Sequence, residues 1–562
     1  MPKTIAIGTQ DFSVLRENDC FYVDKTAFIR EWWDSRDAVT LITRPRRFGK
    51  TLNMSMLDFF FSNKHAGRGD LFQGLEIWKD ERFRQLQGQY PVIFISFAGI
   101  KGGSFASVRM SIFQLLIDLY IENQYLLKGD RLSAGEKQYF DFINMDMADE
   151  VAAAALRRLS LCLYRYYGKK VLIFLDEYDT PLQDAYLKNY WDELSGFIRE
   201  LFNNTFKTNP YLERAILTGI TRVSKESIFS DLNNLSVVTT TTKRYENSFG
   251  FTEDEVFSAL REQGLSEWQE KVKKWYDGFC FGMMKDIYNP WSITSFLKEK
   301  ELKTYWANTS ENTLVSRLIQ TGSPDIKMAM EDLIIGKQIQ TPIDEEIAFS
   351  QLDYSNTAIW SLLLAAGYLK VDEICKDTSE DEAIYYLSLT NLEVQKMYMK
   401  LIRDWFRKTG DMTGFVKSMF DGNVREMNRF MNRVALTTFS SFDTGKKPSE
   451  KQPERFYHGF VLGLLVDHTK DYIVKSNRES GFGRYDVVME PKDPKDIAVI
   501  MEFKVFDRED GEKSLEDTAR NALRQIETKK YDTDLLARNI PENHILKYGF
   551  AFEGERCMIL KI

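Results

Sequence analysis

The chain has 562 residues, 43% hydrophobic, 14% aromatic and 28% charged, enough for about three to five domains with cores of their own. Seventy-five basic residues against 83 acidic ones leave a formal charge of −8, which excludes a histone-like polybasic protein but leaves local basic patches open. Five scattered cysteines with no CxxC pair, and only four dispersed histidines, speak against a disulfide framework or a zinc site. No apolar run approaches the ~20 residues that span a bilayer; the longest candidate, Ile359 to Val371, is broken by Gly367 and Lys370. MPKTIAIGTQDF lacks the apolar core of a secretory leader. A cytoplasmic protein with reduced thiols and no membrane partner is expected.

In chain order, residues 38–43 (AVTLIT) predict a buried strand running into RPRRFGKT, followed by an apolar helix at 53–62. PVIFISF (91–97), VLIFL (171–175) and AILTGI (215–220) are continuous apolar runs, the signature of parallel strands covered on both faces. Helical stretches at 149–168 and 182–206 lie between them, so residues 1–300 are expected to form an α/β domain. Beyond it, a helix at 356–369, extended runs at 369–373 and 384–389 around the acidic loop KDTSEDE, and a helix at 391–407 fit a winged-helix-like module. They fit a helical connector with a hairpin equally well, and residues 301–409 are assigned to that middle region. From 410 onward come a helix at 453–466, strands at 484–489 and 497–503 joined by EPKDPKD, a helix at 515–530 and a strand near 547–552.

RPRRFGKT (44–51) has the strand–loop–helix setting of a phosphate-binding loop, in which backbone N–H groups and a helix N-terminus face the anion. Arg44 stands where the first loop glycine is expected, and Arg44, Arg47, Phe48, Gly49, Lys50 and Thr51 form the candidate ATP cradle. Lys50 would reach the terminal phosphates, and Thr51 would ligate Mg²⁺. In VLIFLDEYDT (171–180), Asp176 ends a buried strand as the second Mg²⁺ ligand and Glu177 would polarise the attacking water. LTGITRVS (217–224) adds Thr218 and Thr221 at a strand end as candidate ATP contacts sensing the γ-phosphate, and Arg222 as a candidate phosphate clamp acting in cis or on a neighbouring subunit.

Together YVDKT (22–26), RPRRFGKT, LDEYDTPL (175–182) and LTGITRV, with YDGFCFG (276–282), IYNPWSI (287–293) and YWANTSEN (305–312), resemble the bacterial AAA-ATPase-like family over roughly residues 4–312. That family itself carries arginine in place of the first loop glycine. The resemblance implies ATP as ligand and a regulatory or mechanical ATPase. It also implies that Tyr22, Asp24 and Lys25 serve as scaffold or adenine contacts.

A second chemistry lies in D-x(15)-E-x-K: Asp486, Glu502 and Lys504. Residues i and i+2 of a strand share a face, so Glu502 and Lys504 point together. An antiparallel hairpin would bring Asp486 beside Glu502, and two neighbouring carboxylates are costly unless a cation bridges them. Mg²⁺ would satisfy both and activate a water, with Lys504 stabilising charge at the phosphate. The spacing resembles the PD-(D/E)xK nuclease superfamily over roughly 410–562, with ERFYHGFVLGLL, GRYDVVM, MEFKV and ALRQIETKKY as the surrounding blocks. The resemblance implies that Glu454 and Gln525 support the site; Arg484 is a candidate phosphate contact, and His458 packs nearby or joins the site.

About 25 basic and 26 acidic residues in 411–562 are too balanced for a broad phosphate footprint, which favours a guided or gated nuclease. Two functions follow: an ATP-dependent nuclease acting on nucleic acid, DNA more readily than RNA, or a switch whose nuclease-like domain only binds DNA or a partner. Every nuclease position is filled, which favours the enzyme. A homo-oligomer is compatible with both.

Overall fold

The computed structural model describes residues 2–562 other than 208, 223–227, 230–231, 309–312, 322–323, 335, 346–348, 354, 377–382, 408–411, 440–470, 481–482, 507–510 and 554–555. The chain divides into two compact units, Met1–Leu314 with Gln340–Val394, and Val315–Ile339 with Gln395–Ile562. The region expected to connect two domains, 301–409, contributes to both.

In the first unit β1 (Val39–Thr43), β2 (Val92–Ser96), β3 (Val171–Asp176), β4 (Leu212–Gly219) and β5 (Leu235–Val238) form a parallel sheet in the order β2-β3-β4-β1-β5. All of β1 and β3 is buried, which is why both read as unbroken apolar runs. Parallel strands end on one edge of the sheet, where ligands of open α/β folds bind. Because β4 lies between β1 and β3, its Thr218 sits between the loop after β1 and the acids after β3. The helix expected over 182–206 is two helices, Thr180–Lys188 and Trp191–Phe202. Asn189 between them takes a left-handed φ of 61°, which ends the first helix.

A small sheet, β6 (Phe251–Thr252), β7 (Phe279–Phe281) and β8 (Met284–Tyr288), follows in the order β6-β8-β7. Strand β9 (Ile339–Pro342) joins the hairpin β10 (Leu369–Lys376) and β11 (Ala383–Leu389) in the order β10-β11-β9. The hairpin is flanked by helices Asn356–Ala365 and Leu392–Arg407, the helix–hairpin–helix pattern of the sequence. Residues 377–382 of its acidic loop lie outside the described residues.

The second unit carries a mixed sheet of β12 (Tyr472–Ser480), β13 (Gly483–Pro491), β14 (Ala498–Val505), β15 (Ile545–Glu553) and β16 (Arg556–Lys561), in chain order. All pairs are antiparallel except β14 with β15. Its two faces have separate cores, as strand alternation requires. Val487, Met489, Met501 and Phe503 pack with Phe415, Met419, Met427 and Met431 from helices Met412–Phe420 and Val424–Phe439. Val488, Ala498 and Ile500 pack with Leu523 and Ile526 of helix Leu515–Lys529. Gly549 allows that helix to lie against β15, since a Cβ there would stand 2.3 Å from the Ala519 carbonyl oxygen. No helix among the described residues is long and apolar enough to cross a membrane.

Candidate functional site

The loop after β1 enters helix Lys50–Phe61 through Gly49, whose φ of 81° is left-handed, a conformation that strains any side chain. Lys50 is buried, and its Nζ donates to the carbonyls of Arg44 and Pro45, each at 2.9 Å. Burial pulls its pKa down, partly opposed by the negative charges of Glu177, Asp176 and Asp179. Asp176 is fully buried at the end of β3; Thr51 Oγ1 donates to its Oδ2 at 2.7 Å and Thr218 Oγ1 to its Oδ1 at 2.5 Å. Burial raises the Asp176 pKa against those two hydrogen bonds.

Glu177 follows with a left-handed φ of 52°, and Thr180 Oγ1 donates to its carboxylate at 3.2 Å. Left-handed non-glycine backbone costs on the order of 1–2 kcal/mol and gathers at functional sites. Arg47, φ 65°, is the other such residue here. These groups open on a pocket of about 350 Å³ lined by Arg46, Arg47, Lys50, Thr51, Glu177 and Tyr22, among others. Arg47 lies over the ring of Trp291, 4.3 Å from its centre.

Of the residues read as ATP-binding, Arg44, Asp176, Thr218 and Arg222 do not line this pocket; Asp176 and Thr218 meet each other instead through the hydrogen bond given above. The Arg44 guanidinium is buried, donating to the carbonyls of Thr43 (2.9 Å) and Thr239 (2.7 Å), and it stacks 4.6 Å over Phe281. Burial draws its pKa down to about 9. Arg222 lines a separate cavity of about 20 Å³ beside Thr43 and Thr239. Phe48 lines the pocket while its buried ring meets Phe279 edge-on at 4.8 Å.

In the second unit, Val487 pairs with Met501 and Val488 with Ile500. The same register carried one residue further would set the strand position of Asp486 opposite that of Glu502, and Glu502 shares the face of Ile500 that helix Leu515–Lys529 covers. Only the strand positions of Asp486 and Arg484 are described; Arg484 pairs with Glu479 of β12. Glu502 is buried, and Gln525 Nε2 donates to it and to the Tyr531 hydroxyl at 3.1 Å. Lys504 follows two residues later on the same face, half-buried. Glu454 and His458, with the helix expected at 453–466, lie outside the described residues.

Residues 6–229 match the family described as "Predicted AAA-ATPase", and residues 452–562 match the PD-(D/E)XK nuclease superfamily. The chain carries a predicted AAA-ATPase followed by a PD-(D/E)XK nuclease superfamily domain. It is also similar to an uncharacterized protein in the vnfD 5′ region of Azotobacter chroococcum mcd 1, 26% identical over 403 residues, 70% of this chain and 68% of that protein.

The outlying blocks of the AAA-ATPase resemblance have structural explanations. In YNPWS, the Asn289 side chain accepts from Trp291 N at 2.9 Å and Ser292 N at 3.3 Å, capping helix Pro290–Glu299 with proline at its first position. Asn289 Nδ2 also donates to the Arg46 carbonyl at 3.2 Å, joined there by Trp306 Nε1 at 3.0 Å. Glu393, 1% exposed, accepts from Tyr305 N, Trp306 N and Ser292 Oγ at 2.5–2.8 Å. In YVDKT, Tyr22 lines the pocket, Asp24 accepts from Thr26 N and Glu76 N, and Lys25 pairs with Glu255 at 2.7 Å.

Sequence reasoning missed Arg46, Asp179, Gln183, Asn289, Trp306 and Glu393. Asp179 was the signal within reach, a third acid in LDEYD. Its Oδ2 accepts from the backbone N of Ile220 and Thr221 and from the Thr221 hydroxyl, each at 3.0 Å.

Proposed function

We propose that the first unit binds and hydrolyses ATP with Mg²⁺ and that its nucleotide state gates a Mg²⁺-dependent nuclease in the second. The observation that carries the reading is the convergence of Thr51 and Thr218 on Asp176, beside Lys50 and Glu177. Two hydroxyls and a carboxylate offer the hard oxygen donors that Mg²⁺ takes, and Thr51 with Asp176 would hold it. Bound there, the ion would neutralise charge on the nucleotide phosphates.

Lys50, now hydrogen-bonded to loop carbonyls, exchanges them for phosphate oxygens. Glu177 orients the attacking water and takes its proton, while Thr218 fixes the Asp176 carboxylate. Arg44 braces the loop from behind, and Arg222 acts as a phosphate clamp across a subunit contact. In the nuclease domain, Asp486 and Glu502 would hold Mg²⁺, a reading supported by the juxtaposition of their strand positions and by the Gln525 contact on Glu502. Bound there, it would supply an activated hydrolytic water. Lys504 stabilises the phosphate, and Gln525, Glu454 and Arg484 support the site. The substrate is nucleic acid, DNA in preference to RNA, in the bacterial cytoplasm. The helix–hairpin–helix of 356–407 serves as a winged-helix-like module.

Calorimetry tests the ATP site: Lys50→Ala should lose nucleotide binding, and Glu177→Gln should bind normally yet turn over at least ~100-fold more slowly. Equal affinity of wild type and Lys50→Ala sinks the assignment.

A further inference from the structure

The pocket holds more positive charge than Lys50 provides. Arg46 lines it together with Lys50, Thr51 and Glu177 and lies close enough to Lys50 for the two cations to oppose each other. Among the described residues no carboxylate pairs with Arg46. Its side chain donates to Gln183 Oε1 at 3.3 Å, a long hydrogen bond to a neutral acceptor and therefore weak. Gln183 is itself oriented, because its Nε2 donates to Asp179 Oδ2 at 3.0 Å.

The backbone of residue 46 is fixed independently, since its carbonyl takes hydrogen bonds from Asn289 and Trp306. Arg47 next door already has the Trp291 ring as its partner. A guanidinium on an anchored backbone, with a weak neutral partner and beside a phosphate cradle, is poised for an incoming anion, and the planar fork suits a phosphate bidentately.

We propose that Arg46 is a catalytic residue of ATP hydrolysis, leaving Gln183 to bind the terminal phosphate and stabilise its transition state from within the same chain. The proposal rests on the ATPase reading above. In the step it assists, the water oxygen bonds to the γ-phosphorus as the bond to the β–γ bridging oxygen breaks. The bond's electron pair leaves with ADP, and the water proton passes to Glu177 and then to solvent, giving ADP and inorganic phosphate. Arg46 counters the charge spread over the equatorial and leaving oxygens.

The test uses the full chain with Mg²⁺. Arg46→Ala should lower kcat by about 100-fold or more, as removal of a transition-state cation does. It should weaken a non-hydrolysable ATP analogue about tenfold while moving ADP affinity less than about twofold, because ADP lacks the phosphate that Arg46 touches. Arg46→Lys should retain part of the rate, and millimolar guanidinium should partly rescue Arg46→Ala. Preserved ADP binding certifies the variant's fold. Turnover by Arg46→Ala within about threefold of wild type overturns the proposal. So does an equal loss of ADP and analogue affinity, which would make Arg46 a scaffold residue. Failure of the ATPase reading looks different: wild type then binds neither nucleotide, and both claims fall.

Discussion

Glu393 offers the sharpest structural test of how the AAA-ATPase region holds its RPRRFGKT loop. One carboxylate oxygen accepts from Tyr305 N at 2.5 Å and Trp306 N at 2.7 Å, and the other from Ser292 Oγ at 2.8 Å. The turn so fixed presents the Trp306 indole to the Arg46 carbonyl. Glu393→Ala removes the acceptor of four donors, Ala307 N at 3.4 Å being the longest, and at roughly 1–3 kcal/mol for each of the three short bonds the cost is about 3–6 kcal/mol after partial relaxation. Glu393→Gln keeps an acceptor oxygen for the two N–H groups and an amide for Ser292, so it should cost about 1–2 kcal/mol.

Burial also lifts the Glu393 pKa to about 7 from its ordinary 4.5. A folded-state pKa above the unfolded one means that the folded chain binds more protons between those values. This contribution is therefore fully present below pH 4.5 and is lost as pH rises through 7; glutamine cannot titrate and removes that slope. Urea unfolding followed by tryptophan fluorescence between pH 5 and 8 measures both quantities. Glu393→Ala within about 1 kcal/mol of wild type, or Glu393→Gln with an unchanged pH slope, would refute the reasoning.

Three further outcomes are expected. Trp306→Phe removes one donor from the Arg46 carbonyl and should weaken ATP about fivefold by calorimetry, roughly one hydrogen bond's worth; unchanged affinity would disconnect that turn from the loop. Gly549→Ala drives a methyl to 2.3 Å from a backbone oxygen and should destabilise the nuclease domain by about 2 kcal/mol or more in chemical denaturation; a neutral result would show the helix free to shift. Mg²⁺ should raise the thermal midpoint of the wild-type nuclease transition but not that of Asp486→Asn, which lacks the second carboxylate that would bind the ion; identical Mg²⁺ shifts in both proteins would leave Asp486 outside the metal site.

The sequence showed most where physics is local. Strands β1, β3 and β4 announced themselves because both their faces are covered, and Glu502 and Lys504 share a face by parity alone. Strand β5 is partly exposed and only four residues long, and β12 (YIVKSNRES) is too polar to stand out; neither left an apolar signature. The break at Asn189 depends on one left-handed residue within an otherwise helical pattern. What chain-distant partners decide was invisible. The carbonyl at 239 that captures Arg44 lies 195 residues away, so an arginine in a phosphate-loop motif looked like a ligand contact. Glu393 reaches Ser292 across 101 residues and reads locally as a surface charge at a helix start. Arg46 and Arg47 are adjacent in RPRRFGKT, and only the positions of Gln183 and Trp291 tell them apart.

Cleavage of end-labelled DNA and RNA by the full chain with Mg²⁺, with and without ATP, beside Lys504→Ala, tests the ATP-gated nuclease most directly. The account predicts cutting of DNA in preference to RNA at a rate that changes with ATP, and no cutting by Lys504→Ala. ATP hydrolysis without cleavage of either nucleic acid in any nucleotide state, or cleavage undiminished in Lys504→Ala, would contradict it.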